Sequence, residues 1–371
     1  GLAKALGSRI PALNEDLPTK VTRYADFRRV LERDDIDAVV IATPDHWHAI
    51  MAIQALEAGK DVYVEKPLSI TIHEGRKMVE AAKRTGRVVQ VGLHRRSSKL
   101  YQEVRGQLQG GKIGKISTCR AFRVSNMYPG GIGQAQATKP VAGLDWDMWL
   151  GPRAKRDYQS NVTPYFFRWW KDYSSQMGNW GVHYCDGIRW LTGDEYPEVI
   201  SALGGRFALE DDRTIPDTMQ AMFKLPSKAL LIFGQYEASG GGALPWGELE
   251  FRGTLGNAYM GSEAKGCQIV PTKPGQFQTE ASPLQAQEIA QMDGNLTDQH
   301  TKNFLECVQS RKQCNCPMET GHRSTTFAHL ANIALWTQET LKWDPKNERF
   351  LNNEEANKYL HYEYRAPWSL G

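Results

Sequence analysis

The feature that most constrains the fold is a set of three short apolar runs in the first hundred residues, each closed by polar residues. Asp37-Ala-Val-Val-Ile-Ala42, Asp61-Val-Tyr-Val64 and Val88-Val-Gln-Val91 alternate with segments of helical spacing over 24–33, 48–60 and 72–85. Runs of Val, Ile and Ala without polar alternation belong to strands covered on both faces, as in a parallel sheet with helices above and below. The first part of the chain is therefore expected to be an α/β, Rossmann-like domain.

Past about Gly114 the pattern changes. Strand-like stretches over 116–123, 200–209, 219–225, 229–237 and 247–253 follow one another, with helices expected from Asn179 to Trp190 and from Pro317 to Leu341. Strands in succession imply a large, mainly antiparallel sheet, so an α+β domain should follow the first, and 371 residues suffice for both. The division is placed at 1–117 and 118–371. Ala229-Leu-Leu-Ile-Phe233 is apolar on both alternating sets. One face of that sheet should cover helices and the other a second subunit, in a homodimer or homotetramer.

Composition removes several classes. Forty-five Lys and Arg against 42 Asp and Glu, a net +3, leave no basic stripe for nucleic acid. No apolar run approaches the ~18 residues of a membrane helix. Cys119, Cys185, Cys267, Cys307, Cys314 and Cys316 do not read as a disulfide framework, and no His at ligand spacing accompanies the last three, so no metal site is expected. Trp146, Trp149, Tyr165, Trp169, Trp170 and Trp180 form either a packed core or, with Arg168 and Lys171, a sugar-stacking surface.

Ligands of open α/β sheets bind at the carboxyl ends of the strands, and here those ends are polar. The first leads into Thr43-Pro-Asp-His-Trp-His48, the second into Glu65-Lys66-Pro67, the third into Gly92-Leu-His-Arg-Arg96. The alternatives are a helix cap at Asp45 or His46 and a structural ion pair at Glu65 and Lys66. Partial desolvation would lower the pKa of Lys66 into the range of acid–base work. In the helix opening Gly178-Asn-Trp-Gly-Val-His-Tyr-Cys-Asp186, Asn179 shares a face with His183, and His183 with Asp186.

Taken together, Ala42-Thr-Pro-Asp-His-Trp-His48, Glu65-Lys66-Pro67, the helix with Asn179 and His183, Leu144-Asp-Trp-Asp-Met-Trp-Leu-Gly-Pro152, Gly321-His-Arg-Ser324 and Tyr364-Arg-Ala-Pro-Trp368 resemble the Gfo/Idh/MocA oxidoreductases, in a bacterial branch acting mostly on sugars and glycosides. The resemblance implies a dinucleotide-binding first domain for NAD or NADP and a second domain for substrate binding and oligomerisation. It places Thr43, Pro44, Asp45, Trp47, His48, Glu65 and His94 at the cofactor. Lys66 matches the catalytic lysine, His183 the histidine beside it, and Asn179 a position where many relatives have Asp. Arg95, Trp149, Arg168, Trp169 and Asp186 are candidates for the substrate. Trp47 and His48, in a loop at the strand ends, are expected to matter more for cofactor retention than for folding.

The opening Gly1-Leu-Ala-Lys-Ala-Leu6 reads as the end of a helix, and the strand and Gly-rich turn with which this family begins are not found. The first domain is therefore expected to be N-terminally incomplete. Three activities follow: oxidation of a secondary hydroxyl of a sugar or glycoside, with ring C3 as the expected position; glycoside cleavage by oxidation, elimination and re-reduction on a retained NAD; and cofactor-free binding or scaffolding.

Overall fold

Asp61–Val64, β2, is buried at all its positions, the environment that an apolar run without alternation demands. It lies between β1 (Ala38–Ile41) and β3 (Val89–Val91), both parallel to it, in the order β1-β2-β3 of a computed structural model that describes residues 22–371. Helices α1 (His48–Glu57) and α2 (Ile72–Thr85) connect these strands. In α2 the Thr71 side chain accepts from the Glu74 amide while Glu74 reaches back to the Thr71 amide, a capping box, and Gly86 closes the helix at a φ of 63°. Among the described residues β1 edges the sheet, with Val40 67% exposed. The helical reading of residues 1–6 lies outside the described residues.

Helix α3 (Lys99–Gln109) leads into β4 (Ile116–Val124), the first strand of the larger sheet. After helix α4 (Val182–Thr192) come β5 (Val199–Gly205), β6 (Thr218–Lys224), β7 (Leu230–Tyr236), β8 (Leu249–Gly253), β9 (Gly256–Met260), β10 (Cys267–Pro271) and β11 (Gln287–Ile289). Helices α5 (Leu296–Ser310) and α6 (Met318–Thr337) precede β12 (Leu341–Asp344) and β13 (Arg349–Phe350). The order is β11-β10-β9-β8-β4-β7-β6-β5-β12-β13, antiparallel throughout except that β4 runs parallel to β7. The mainly antiparallel expectation therefore holds. Its parallel pair joins strands more than a hundred residues apart, which no local periodicity encodes.

The main core lies between one face of this sheet and α3, α4 and α6, with Phe223, Phe233 and Phe251 meeting Tyr101, Ile188 and Phe327. Its other face leaves Leu203 74%, Met222 38% and Leu230 37% exposed. Helices α5 and α6 return to the first sheet, where Phe304, Cys307 and Cys314 pack on Tyr63 and Val88. A Cβ on Gly321 of α6 would stand 2.6 Å from Val91, so only glycine permits that approach. Arg76 of α2 bridges Glu319 of α6 at 2.9 Å and Glu348 at 2.6 Å. We propose the division near residue 117 because the chain leaves the parallel sheet there; both lobes are then tied by the returning helices.

Candidate active site

The three parallel strands end side by side, and their polar termini meet the turn before α4. Met177–Gly181 forms a wide helical turn that feeds α4, so the helix expected from Asn179 becomes regular only at Val182. That turn aims Asn179 at the end of β2. Lys66 Nζ donates to the Asn179 carbonyl at 2.8 Å and to its side-chain Oδ1 at 3.1 Å, while Asn179 Nδ2 donates to Gln176 Oε1 at 3.1 Å. One turn along, the His183 ring sits 5.3 Å from that of His94 and 6.3 Å from that of Trp180. Arg123 of β4 covers the Trp180 face at 3.7 Å.

Burial sets the electrostatics. It lowers the pKa of Lys66, against the opposing pull of Asp45 and Glu65. It holds His183 well below the ordinary imidazole range, helped by the cations Lys66 and Arg95, and takes His94 down to about 3. A neutral Lys66 amine has two N–H bonds, and Asn179 offers two oxygens to receive them; its lone pair is then left for a third partner. An aspartate at 179 would instead hold the ammonium form.

The loop after β1 is turned inward. His46 Nε2 meets the Trp149 carbonyl at 2.8 Å, and Trp47 Nε1 donates to the same oxygen at 3.0 Å. The Trp47 indole, 3% exposed, meets Trp368 edge-on at 4.7 Å. A Cβ on Gly151 would lie 2.4 Å from the Trp47 ring. His48 places its two ring nitrogens 2.8 Å from the Pro67 carbonyl and 3.0 Å from that of Thr43. Asp45 accepts from Ser174 Oγ, and burial pushes its carboxyl up. Trp47, in the short helical turn before α1, and His48, the first residue of α1, are thus core residues, a placement the expected loop position did not foretell. Thr43 remains at the surface of the crevice: its Oγ1 is buried without a hydrogen-bond partner, and with Ala42, Pro44, Tyr165, Phe167 and Arg168 it lines a cavity of about 200 Å³.

Lys66, Asn179, His183, His94, Glu65 and Thr43 therefore converge at the strand ends, with Arg168 across the crevice. The other substrate candidates have protein partners. Arg95 makes a two-pronged pair with Glu248, both contacts at 2.9 Å, and Asp186 is held by Arg96 at 2.8 Å and by Ser324. Trp169 donates to both Glu237 oxygens at 3.1 and 3.0 Å, and Trp149 stacks on Trp146 at 4.8 Å. Sequence reasoning did not single out Gln176, Ser174 or Arg123; the alternating period of β4 was the available signal for Arg123 alone. Among the described residues no group of three or more His, Cys, Asp or Glu is placed to hold a metal, and no helix is long and apolar enough to cross a membrane.

Comparison with known proteins extends this picture. A model of an oxidoreductase family's NAD-binding Rossmann fold matches residues 5–93, and a model of the C-terminal alpha/beta domain matches residues 105–202 and 275–370. Over 97 residues, 26% of this chain, the sequence is 43% identical to scyllo-inositol 2-dehydrogenase (NAD(+)) of Bacillus subtilis, spanning 28% of that relative's length. Over 59 residues, 16% of the chain, it is 49% identical to an alpha-N-acetylgalactosaminidase of Shewanella oneidensis, spanning 13% of that length. The fold superposes on levoglucosan dehydrogenase in complex with NADH and levoglucosan with a TM-score of 0.63 at 18% identity, covering 86% of this chain and 83% of the other.

Proposed function

Because the chain belongs to the Gfo/Idh/MocA family of NAD-binding oxidoreductases, we propose that it oxidises a secondary hydroxyl of a sugar, glycoside or polyol, with ring C3 as the first position to test. The observation that carries this reading is the Lys66 amine held by both Asn179 oxygens beside His183, at the carboxyl ends of the parallel strands. The printed substrates of the inositol and levoglucosan relatives support a polyhydroxylated ligand.

The residues present fit the nicotinamide half of the cofactor: the Thr43 hydroxyl is buried without a protein partner and open to a polar group of the ligand, and Glu65 and His94 stand at the next two strand ends. When bound, the nicotinamide supplies the hydride acceptor. The protein's part is the proton. A desolvated amine whose N–H bonds are both occupied takes the substrate hydroxyl proton on its lone pair, and neutral His183 orients that hydroxyl with its ring nitrogen. Arg168 and Tyr165, on the far wall, contact the outer part of the sugar. The open face of the larger sheet, carrying Leu203, Met222 and Leu230, joins two subunits.

The test is NADH formation at 340 nm on a panel of sugars, glycosides and inositols, after reading cofactor content from denatured protein. Substrate-dependent NADH supports the proposal; absence of both bound cofactor and cofactor binding defeats it. A second reading, favoured by the galactosaminidase match, is redox-neutral glycoside cleavage on a retained cofactor. Aglycone release without accumulating NADH would select it.

A further inference from the structure

Past β13 the chain returns to the first lobe, and residues 364–368 are pinned there at three points. The Tyr364 hydroxyl donates to Glu74 Oε1 at 2.5 Å, the free oxygen of the carboxylate that closes the capping box of α2. Arg365 spends its donors on a single turn of chain. Its Nε lies 3.1 Å from the Gly151 carbonyl and 3.0 Å from that of Arg153; Nη1 donates to Asp147 Oδ1 and Nη2 to the Asp147 carbonyl, both at 2.9 Å. Its amide donates to the Pro152 carbonyl, also at 2.9 Å. Trp368 meets the Trp47 indole edge-on, with the Arg28 guanidinium 5.5 Å from the Trp368 ring. A guanidinium fork only 15% exposed and directed mostly at backbone carbonyls fixes the position of that backbone.

The turn that Arg365 holds is the one on which the segment after β1 rests. It is built on the short helix Trp146–Leu150, whose Trp149 carbonyl receives both His46 and Trp47, and Gly151 is the surface against which the Trp47 ring lies. From there His48 reaches the Thr43 carbonyl, and the Thr43 hydroxyl faces the crevice without a protein partner. A continuous series of contacts therefore runs from residues 365 and 368, through the 147–153 turn and Trp47, to the wall at Thr43. Among the described residues the 364–368 segment makes no hydrogen bond or ion pair with Lys66, Asn179 or His183, and neither Arg365 nor Trp368 lines the cavity at Thr43.

Resting on the oxidoreductase reading, we propose that residues 364–368 are a clasp that sets the cofactor-side wall of the crevice, with Arg365 and Trp368 as positioning residues for binding of the nicotinamide cofactor. They act through the 147–153 turn and Trp47 on Thr43. Clasp and cofactor then share one wall, so each stabilises the other to the same extent: a wall held in place binds the cofactor more tightly, and a bound cofactor holds the clasp down. A strap that served folding alone would lack this link. The proton chemistry at Lys66 rests on Asn179 and lies outside the clasp's reach.

Two experiments decide it. In titrations followed by NADH fluorescence, Trp368→Ala and Arg365→Gln should each raise Kd about tenfold, with KM for NAD rising alike and kcat within about threefold of wild type. Trp368→Phe keeps an aromatic edge and should recover most of the affinity. A lowered melting temperature with Kd unchanged in both variants would make the strap merely structural and overturn the proposal. The second experiment needs no variant. In wild-type protein, saturating NADH should slow hydrogen exchange, read by peptide mass spectrometry, in 364–368 as well as in 43–48, because the Arg365 and Trp368 amides are both hydrogen-bonded, at 2.9 and 3.0 Å. Protection of 43–48 with none at 364–368 would overturn the proposal. In cofactor-free protein, Trp368→Ala should speed exchange in 43–48 and leave 61–66 at wild-type rates; unchanged exchange in 43–48 overturns the clasp whatever the activity. That acceleration in a protein whose wild type binds no NADH would leave the clasp's hold on the wall standing and remove the oxidoreductase reading instead.

Discussion

Two adjacent strand ends, 43–48 after β1 and 65–66 after β2, look equally reactive in sequence and are put to opposite uses. The first spends its indole and imidazoles on the Trp149, Pro67 and Thr43 carbonyls and on Trp368. The second leaves Lys66 half in the crevice with both contacts on one neutral residue, Asn179. A motif rich in ligand-grade side chains is thus divided into scaffold and chemistry by which groups find backbone partners, and that partition is what substitutions should expose.

The largest effect separates the two ends by kind. Lys66→Met keeps much of the stem and should cost ~10²–10⁴ in turnover while NADH binding, followed by fluorescence, and the melting temperature persist. His183→Asn belongs to the same end; a loss equal to that of Lys66→Met would mark one shared relay. Trp47→Ala should show the converse, about 3–5 kcal/mol of stability lost in denaturant unfolding, because a fully packed indole and its hydrogen bond disappear. Loss of cofactor with normal unfolding would return Trp47 to the ligand's side and break the contrast.

A smaller effect concerns acid. His46 and His329 are buried and held down to about 3, whereas an unfolded chain protonates them near their ordinary value of 6.5. The unfolded state therefore binds more protons below that value, and the native state should lose stability as pH falls from about 6.5 toward 3. Glu319 and Glu348, held near 2 by Arg76, Arg323 and His322, add to the loss below their ordinary 4.5. Thermal melts should hold level from pH 8 to about 7 and decline from there to pH 4; a profile flat over the whole range would mean that these rings are hydrated. The smallest effect on activity is expected at the open sheet face. Leu203→Lys should convert a dimer or tetramer to monomer in light scattering with little change at Lys66, and a wild-type monomer at micromolar concentration would remove the interface.

Much of the parallel half was legible, since β2 (61–64) and α2 (72–85) follow the apolar period to the residue. Helix α3 was passed over although Leu100, Tyr101, Val104 and Leu108 mark its buried face, and α5 buries only Leu296, His300, Phe304 and Cys307, too thin a stripe to stand out. At the site, Lys66, Asn179 and His183 could be read because strand ends and helix faces are local properties. Arg95 and Trp169 could not be assigned, because their partners Glu248 and Glu237 lie 153 and 68 positions away. A buried charge and a ligand-binding one look alike until the partner is seen.

The acid limb of the kcat/KM pH profile tests the role of Lys66 most directly. If Lys66 works as the neutral base freed by Asn179, wild-type protein should gain activity through a midpoint clearly below the ordinary lysine value of 10.5, and the residual activity of Lys66→Met should lack that limb. A limb that survives unchanged in Lys66→Met would contradict the assignment and place the base elsewhere in the crevice.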